Sequence, residues 1–386
     1  MLWAIALGLA LGTVTGLVPG IHVNLVSLMV NDRLAGDSAV PVLVAMATVH
    51  TFLDFIPSVL LGIPDEATAL SVLPAHKYAL EGRAVEAYFL TVVGGFSALL
   101  LSLLLLPVFF MVVPAFYARP WIATVLVVGT ILVLILTEQN RRGALAVLLL
   151  AAFLGQVASD VPESLFPMLS GMFGVSTLLL SLVDAGGMPH QETSGGVSVG
   201  WGDVTRGTVA GTLSGALVGM VPGVGNSQAC LVSSLLVGGT DRTLLVSMGA
   251  VNTANFIFNM VTLSLVGKAR SGVAIAVQEA AAGADVFRTS LVSMVLAASL
   301  AAAVSLTIFS QFVRIVGRLD YRILTLSIVS LVTLAVAWRC GPAGLALLAA
   351  STALGVVPPT IGVKRSLCMG CIMVPVAVSL LGRGIY

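Results

Sequence analysis

The sequence predicts an all-α polytopic membrane protein built from two related halves, each carrying a helix interrupted at Val-Pro-Gly. Three observations predict it. Hydrophobic residues fill 58% of the 386 positions and charged residues only 9%, against about 25% charged in a water-soluble domain. Apolar runs recur along the whole chain, and a helix needs about 20 such residues to cross the hydrocarbon. They are continuous, which speaks against the alternating segments of about ten residues found in a membrane barrel. Third, the beginning of the chain recurs about 200 residues further on.

Taken in order, the apolar runs place membrane segments at 1–31 (interrupted at Pro19), 39–63, 84–115, 121–137, 144–158 and 165–182. The first run lacks a basic leader and a small-residue cleavage site, so it reads as a retained span. Residues 183–207 are polar and glycine-rich, with Asp184, His190 and Glu192, and read as a linker. The second set is 208–238 (interrupted at Pro222), 244–266, 272–282, 286–313, 323–337, 342–357 and 367–381. Several are short enough to be half-helices, so about 10–12 membrane segments are expected, with residues 1–182 and 208–386 as the two repeats.

The duplication rests on spacing. At an offset of 203, Gly8, Gly12, Gly16, Val18, Pro19 and Gly20 fall on Gly211, Gly215, Gly219, Val221, Pro222 and Gly223. Near 202, Val49-His50-Thr51 falls on Val251-Asn252-Thr253, and near 200 the run around Leu145–Gly155 meets Leu345–Gly355. An inverted arrangement of the repeats is expected, as in carriers with broken helices.

Three groups of residues carry chemistry. The glycines at four-residue spacing bare one helix face for close packing. At Val-Pro-Gly, proline removes a donor and the helix must break; freed backbone at membrane depth is tolerated only inside protein or beside a cavity. Polar residues follow each break: His22 and Asn24 after Pro19-Gly20, and Gly225, Asn226, Ser227 and Gln228 after Pro222-Gly223. Restarting half-helices present N–H groups and a positive dipole end to an anion, and paired breaks of this kind point to a transporter's binding site. The next helix carries His50 and Asp54 in one half, suited to ion or proton coupling, and Asn252, Asn255 and Asn259 in the other. Asn252 and Asn255 suit substrate contact; Asn259 extends their face toward a coupling ion. After these helices, Asp65-Glu66 in one half corresponds to Lys268 and Arg270 in the other; both pairs read as ordinary charged loop ends, or the two bases as partners for a carboxylate.

Cys368 and Cys371 form a C-x-x-C, but no second pair or nearby histidine makes a metal centre of it, and small cysteines pack well in apolar helices. A net charge of +1 without a basic stripe excludes nucleic acid as a partner. No nucleophile elbow, zinc-protease or phosphate-loop motif is present, so no cofactor beyond a coupling Na⁺ or H⁺ is expected.

The Gly-rich helix ending in Leu17-Val-Pro-Gly20, Gly62-Ile-Pro64, Pro74-x-x-Lys77, Gly82-Arg83-Ala84 and Met220-Val-Pro-Gly-Val-Gly225 resemble the large membrane (permease) subunit of tripartite tricarboxylate transporters. That resemblance implies a secondary transporter taking up a small organic anion, typically a carboxylate, across the cell membrane on an ion gradient. It also implies help from a small membrane subunit and an extracytoplasmic binding protein; self-association into a homo-oligomer is a further option. The alternative of another class is an intramembrane enzyme using His50 and Asp54 on a lipid-linked or acyl substrate. That alternative needs a polar constellation drawn from one half only.

Overall fold

The computed structural model describes residues 1–18, 23–31, 34, 38–62, 72–158, 161, 164–183, 191, 197, 199–221, 226, 229–230, 233, 240–280, 285–316 and 321–383. All regular structure among them is helical. The helices are α1 (Leu2–Leu17), α2 (Val23–Asn31), α3 (Ala39–Leu53), α4 (Phe55–Leu61), α5 (Val72–Leu80), α6 (Ala84–Tyr117), α7 (Pro120–Leu136) and α8 (Arg141–Val157). Then come α9 (Leu165–Leu169), a π turn over Ser170–Val175, α10 (Ser176–Val183), α11 (Trp201–Met220) and α12 (Asp241–Val266). The series ends with α13 (Gly272–Ala280), α14 (Val286–Val316), α15 (Tyr321–Thr360), a 3₁₀ turn (Arg365–Met369) and α16 (Gly370–Arg383). Among the described residues, six stretches are long and apolar enough to cross a bilayer: Ala39–Leu61, Ala84–Tyr117, Asp241–Val266, Val286–Val316, Thr325–Thr360 and Arg365–Gly382. The chain is a multi-pass membrane protein.

Local chemistry explains where helices bend or stop. Pro57 cannot donate to the carbonyl one turn earlier, so α3 and α4 meet at a bend at Asp54 within one 23-residue span. Gly62 ends that span in the left-handed region at φ 63°, which glycine adopts without strain. The runs expected at 323–337 and 342–357 lie end to end in α15, separated only by Gly341 at φ 61°, with Pro342 starting the second piece. Helix α11 begins at Trp201, so residues 201–207, expected to belong to the polar linker, are its first two turns. Asp203 anchors that start by accepting from the hydroxyls of Thr240 (2.9 Å) and Thr243 (2.5 Å) at the head of α12.

The small-residue faces set the packing. A Cβ added to Gly8 would fall 2.6 Å from Ala45 Cβ, one on Gly12 2.5 Å from the Met46 carbonyl, and one on Gly16 2.7 Å from Leu53 Cβ. The C-terminal set behaves alike: Gly211 lies against Ser247 and Ala250, Gly215 against Val251 and Ala254, and Gly219 against Asn255 and Asn259. In both places residue numbers rise together, so α1 runs parallel to α3 and α11 parallel to α12. The chain must therefore return across its own depth between the paired helices. At the crossing of α6 and α12, Gly94 and Gly249 seat each other's helices directly on backbone, at Val246 and Thr91. Further along the same two helices, the rings of Phe109 and Phe258 pack at a tilt, with centroids 3.9 Å apart.

The direction of each pair follows from the ends. His76 of α5 meets the carbonyl of Val59, near the end of α4, and its neighbour Lys77 pairs with Asp241, the first residue of α12 (3.4 Å). Span α3–α4 thus ends on the side where α12 begins, and the two run in opposite directions. Likewise Tyr88 stacks on Phe309 and Phe110 meets Phe287 edge-on, so α6 and α14 are antiparallel. Arg83 and Arg242 close on Glu86 (2.7 and 2.6 Å) at the same membrane face.

Two apolar cores result. The larger joins α1–α7 with α10–α14 and the first part of α15. The smaller joins α8, α9, the second part of α15, the 3₁₀ turn and α16.

His76 yields a first prediction. With a carbonyl as its partner, Nδ1 must donate, at 2.9 Å to Val59 O, and burial pushes its pKa below the usual histidine value. Folding therefore favours the neutral ring. Above the unfolded value of about 6.5 nothing is lost, whereas as pH falls below it the unfolded chain binds the proton first and stability declines. Between pH 8 and pH 5 the melting temperature in detergent should fall more for the wild type than for His76→Gln.

Candidate functional site

Helices α1 and α11 end at matching points of their sequences. Helix α1 stops at Leu17, with Val18 extended (φ −100°, ψ 104°), and α11 stops at Met220, with Val221 extended (φ −91°, ψ 125°). Their glycine contacts fix the depth of these ends. Gly16 lies level with Leu53 and Asp54, leaving eight residues of span to Leu61, or about 12 Å at 1.5 Å per residue. Gly219 lies level with Asn255 and Asn259, with Val266 about 10–17 Å beyond. Both helices therefore stop within the depth of the spans they pack on, where exposed backbone needs polar company.

That company is a continuous buried hydrogen-bond chain between the halves. Asn255 Nδ2 donates to Asn226 Oδ1 (2.6 Å), and Asn226 Nδ2 donates to Asn252 Oδ1 (2.6 Å). Asn252 Nδ2 donates to Asp54 Oδ2 (2.7 Å) and to the Thr51 carbonyl (3.2 Å). Asp54 is 2% exposed and Asn252 3%, so a carboxylate deep in the protein takes a hydrogen bond from an amide. Beside it, the hydroxyl of Thr15 donates to the Gly12 carbonyl, so its oxygen accepts from His50 Nδ1 (3.2 Å), tying α3 to α1. Tyr88 donates to the Phe52 carbonyl one residue further on (3.0 Å).

The second polar group surrounds the end of α11. Tyr117 donates to the carbonyl of Met220 (2.8 Å), satisfying one of the groups the helix end leaves open. Its oxygen accepts from Arg270 Nε (2.8 Å) and from a terminal guanidinium nitrogen (2.6 Å). The Lys268 ammonium lies 5.0 Å and the Arg270 guanidinium 5.1 Å from the centre of the same ring. Among the described residues no carboxylate lies within ion-pair distance of either cation. Next to Arg270, Ser271 accepts from Ala274 N (3.2 Å) and from Asn259 Nδ2 (2.8 Å), and Asn24 Oδ1 accepts from Val273 N (3.2 Å). These contacts cap the start of α13.

The candidates from sequence thus divide. Asp54, Asn226, Asn252 and Asn255 form one connected chain, with His50 beside it; Lys268 and Arg270 meet on Tyr117. Asn24 and Asn259 reach the start of α13 instead of the Asp54 chain. Pro19, Gly20, His22, Pro222, Gly223, Gly225, Ser227 and Gln228 lie outside the described residues, as do Asp65, Glu66, His190 and Glu192. Sequence reasoning missed Tyr117, Thr15 and Ser271. Tyr117 closes a long apolar run and offered no signal, and hydroxyls of Thr15 and Ser271 type are scattered throughout such helices.

Residues 2–370 match the family described as the tripartite tricarboxylate transporter TctA family. The chain belongs to that family. As a TctA-family protein it is a membrane component of a transporter, not an enzyme, and the tripartite system implies partner subunits and an organic anion as cargo. It is also similar to an uncharacterized protein of Methanocaldococcus jannaschii, at 27% identity over 339 residues that cover 83% of each chain. No solved structure matches it.

Proposed function

We propose that this TctA-family chain moves a small organic anion, a carboxylate, across the membrane as a secondary transporter, and binds it between the ends of α1 and α11. The observation that carries this reading is the buried chain Asp54–Asn252–Asn226–Asn255, which joins the two halves at the depth where both helices stop. An ionisable residue inside a span is expensive and marks a pathway or a coupling group, and Asp54 is the group we assign to the coupling ion. Lys268 and Arg270, held on Tyr117 with no described acid beside them, supply positive charge for the anion.

The two halves are read as an inverted repeat. Supporting this, the matched glycine faces pack on the next helix in the same way, and the two pairs run in opposite directions. A small membrane subunit and an extracytoplasmic binding protein are its expected partners.

The test is uptake of labelled acetate, succinate and citrate into proteoliposomes under an imposed H⁺ or Na⁺ gradient. Gradient-dependent uptake by the wild type, lost in Gly20→Leu and Gly223→Leu with folding intact, is the expected result. Normal uptake in both variants would overturn the placement of the site.

A further inference from the structure

Where cations gather near the starts of α6 and α12, acids answer them. Lys77 pairs with Asp241, Arg83 with Glu81 and Glu86, and Arg242 with Glu86. On the smaller core that balance fails. There the turn into α8 packs on the turn that follows α15. Asn140 Nδ2 donates to the Ile361 carbonyl (3.3 Å), a Cβ on Gly143 would meet the Ile361 side chain at 3.0 Å, and Lys364 pairs with Glu138 (3.5 Å). These two turns carry four cations: Arg141 and Arg142 in the first turn of α8, and Lys364 and Arg365 where the 3₁₀ turn begins. Glu138 is already held by Lys364. Among the described residues no carboxylate lies within ion-pair distance of Arg141, Arg142 or Arg365.

We infer that this patch seats an anionic phospholipid, with its headgroup phosphate among the four cations and an acyl chain along the outer face of α8. The charge argument comes first. A helix start is the positive end of its dipole, and α8 places two arginines there with no acid in its first turn. Such a start is unfavourable for cations unless an anion joins them. Both arginines are exposed, whereas Arg365 is half-buried and gives one nitrogen to the Thr177 hydroxyl, which leaves further donors in its fork. Guanidinium groups suit phosphate because two parallel N–H donors meet two of its oxygens.

The apolar argument separates a lipid from a free anion. The apolar stretch 121–136 stops at the turn into α8, which puts Arg141 and Arg142 at a membrane surface. Below them Leu145, Leu149 and Phe153 follow Arg142 at intervals of three, four and four, so they share its side of the helix. All three are exposed, at 46%, 54% and 68%. From Arg142 to Phe153 the helix rises about 16 Å, close to one leaflet of a hydrocarbon core about 30 Å thick. Cations at the surface above one leaflet of uninterrupted apolar strip mirror the profile of a phospholipid. Basic pockets between membrane helices bind anionic headgroups in this way.

The test is a lipid titration of the purified full chain in detergent, followed by melting temperature, because a ligand of the folded state raises it by mass action. Dioleoylphosphatidylglycerol is compared with dioleoylphosphatidylcholine and with inorganic phosphate. The anionic lipid should half-saturate the shift at a concentration about tenfold or more below the zwitterionic one, and inorganic phosphate should give no shift at the same concentrations. Each base beside an anionic lipid strengthens binding about fivefold, so Arg141→Gln/Arg142→Gln should weaken the phosphatidylglycerol response about 25-fold. Arg119→Gln/Arg288→Gln, which removes the same charge elsewhere, should leave it unchanged. Should the first pair fail to fold, Arg142→Gln alone should weaken it about fivefold. An equal response to both lipids, or a wild-type response in the Arg141/Arg142 variants, would overturn the inference. A full shift with inorganic phosphate would overturn it too, since the site would then take a free ion. Uptake plays no part in the readout, so the outcome stands apart from the functional reading above.

Discussion

Asp54→Asn is expected to abolish proton-driven accumulation of the carboxylate. One coupled proton across a gradient of 2 pH units supports a concentration ratio of about 100, since each unit is worth about 1.4 kcal/mol. A carboxamide at position 54 keeps the shape of the side chain and its place beside Asn252 but cannot exchange a proton. Internal substrate in proteoliposomes should therefore level off near the external concentration instead of about 100-fold above it. Accumulation at the wild-type level in this variant would remove Asp54 from the coupling step. His50→Gln serves as the comparison, because its ring Nδ1 bonds Thr15 of α1; it should retain accumulation above equilibrium.

The second large effect concerns folding. Leucine at Gly249 is expected to prevent recovery of folded protein, because any Cβ there runs into the backbone carbonyl of Thr91 on α6. The reciprocal contact, Gly94 against the carbonyl of Val246, leaves neither helix room to withdraw. Overpacking a tight core costs about 1–3 kcal/mol even where side chains can shift; where backbone meets backbone the crossing itself must open. Total stabilities are only about 5–15 kcal/mol. Gly129→Leu is the control: it lies in α7, and a Cβ there meets nothing within 4 Å. The checks are monodisperse yield in detergent and melting temperature, with Gly249→Leu lost and Gly129→Leu close to wild type. A stable, monodisperse Gly249→Leu would refute the close crossing of α6 and α12.

What could be read from the chain before its structure was known follows a physical pattern. Local chemistry was legible. Helices α1 and α11 end at Leu17 and Met220, ahead of Val-Pro-Gly sequences in which proline and the residue before it restrict the backbone whatever surrounds them. The asparagines of α12 share a face because helical spacing alone puts Asn252, Asn255 and Asn259 there. Contacts between distant stretches of the chain were not legible. The bond from Asn252 to Asp54 joins residues 198 positions apart, and no periodicity within either helix foretells it. Nor does periodicity tell that Asn259 turns to Ser271 while its neighbour Asn255, one turn earlier, joins Asn226. The start of α11 was hidden for another reason. Its first turns hold Asp203 and Arg206, residues that look like linker when read singly, yet Asp203 is held by two threonines of α12. The anchoring of Arg270 on Tyr117 depends on a residue 153 positions away and was likewise invisible.

The central claim is that the anion binds between the halves, where α1 and α11 stop within the membrane. A cryo-electron-microscopy structure determined with saturating carboxylate, using the ligand that uptake identifies, tests it most directly. The account predicts density for the anion between Val18 and Val221, with Asn255 in hydrogen-bond reach and Lys268 and Arg270 on the side of its charge. Anion density confined to the second core, among α8, α9, α15 and α16, with the space between the two helix ends empty, would contradict it.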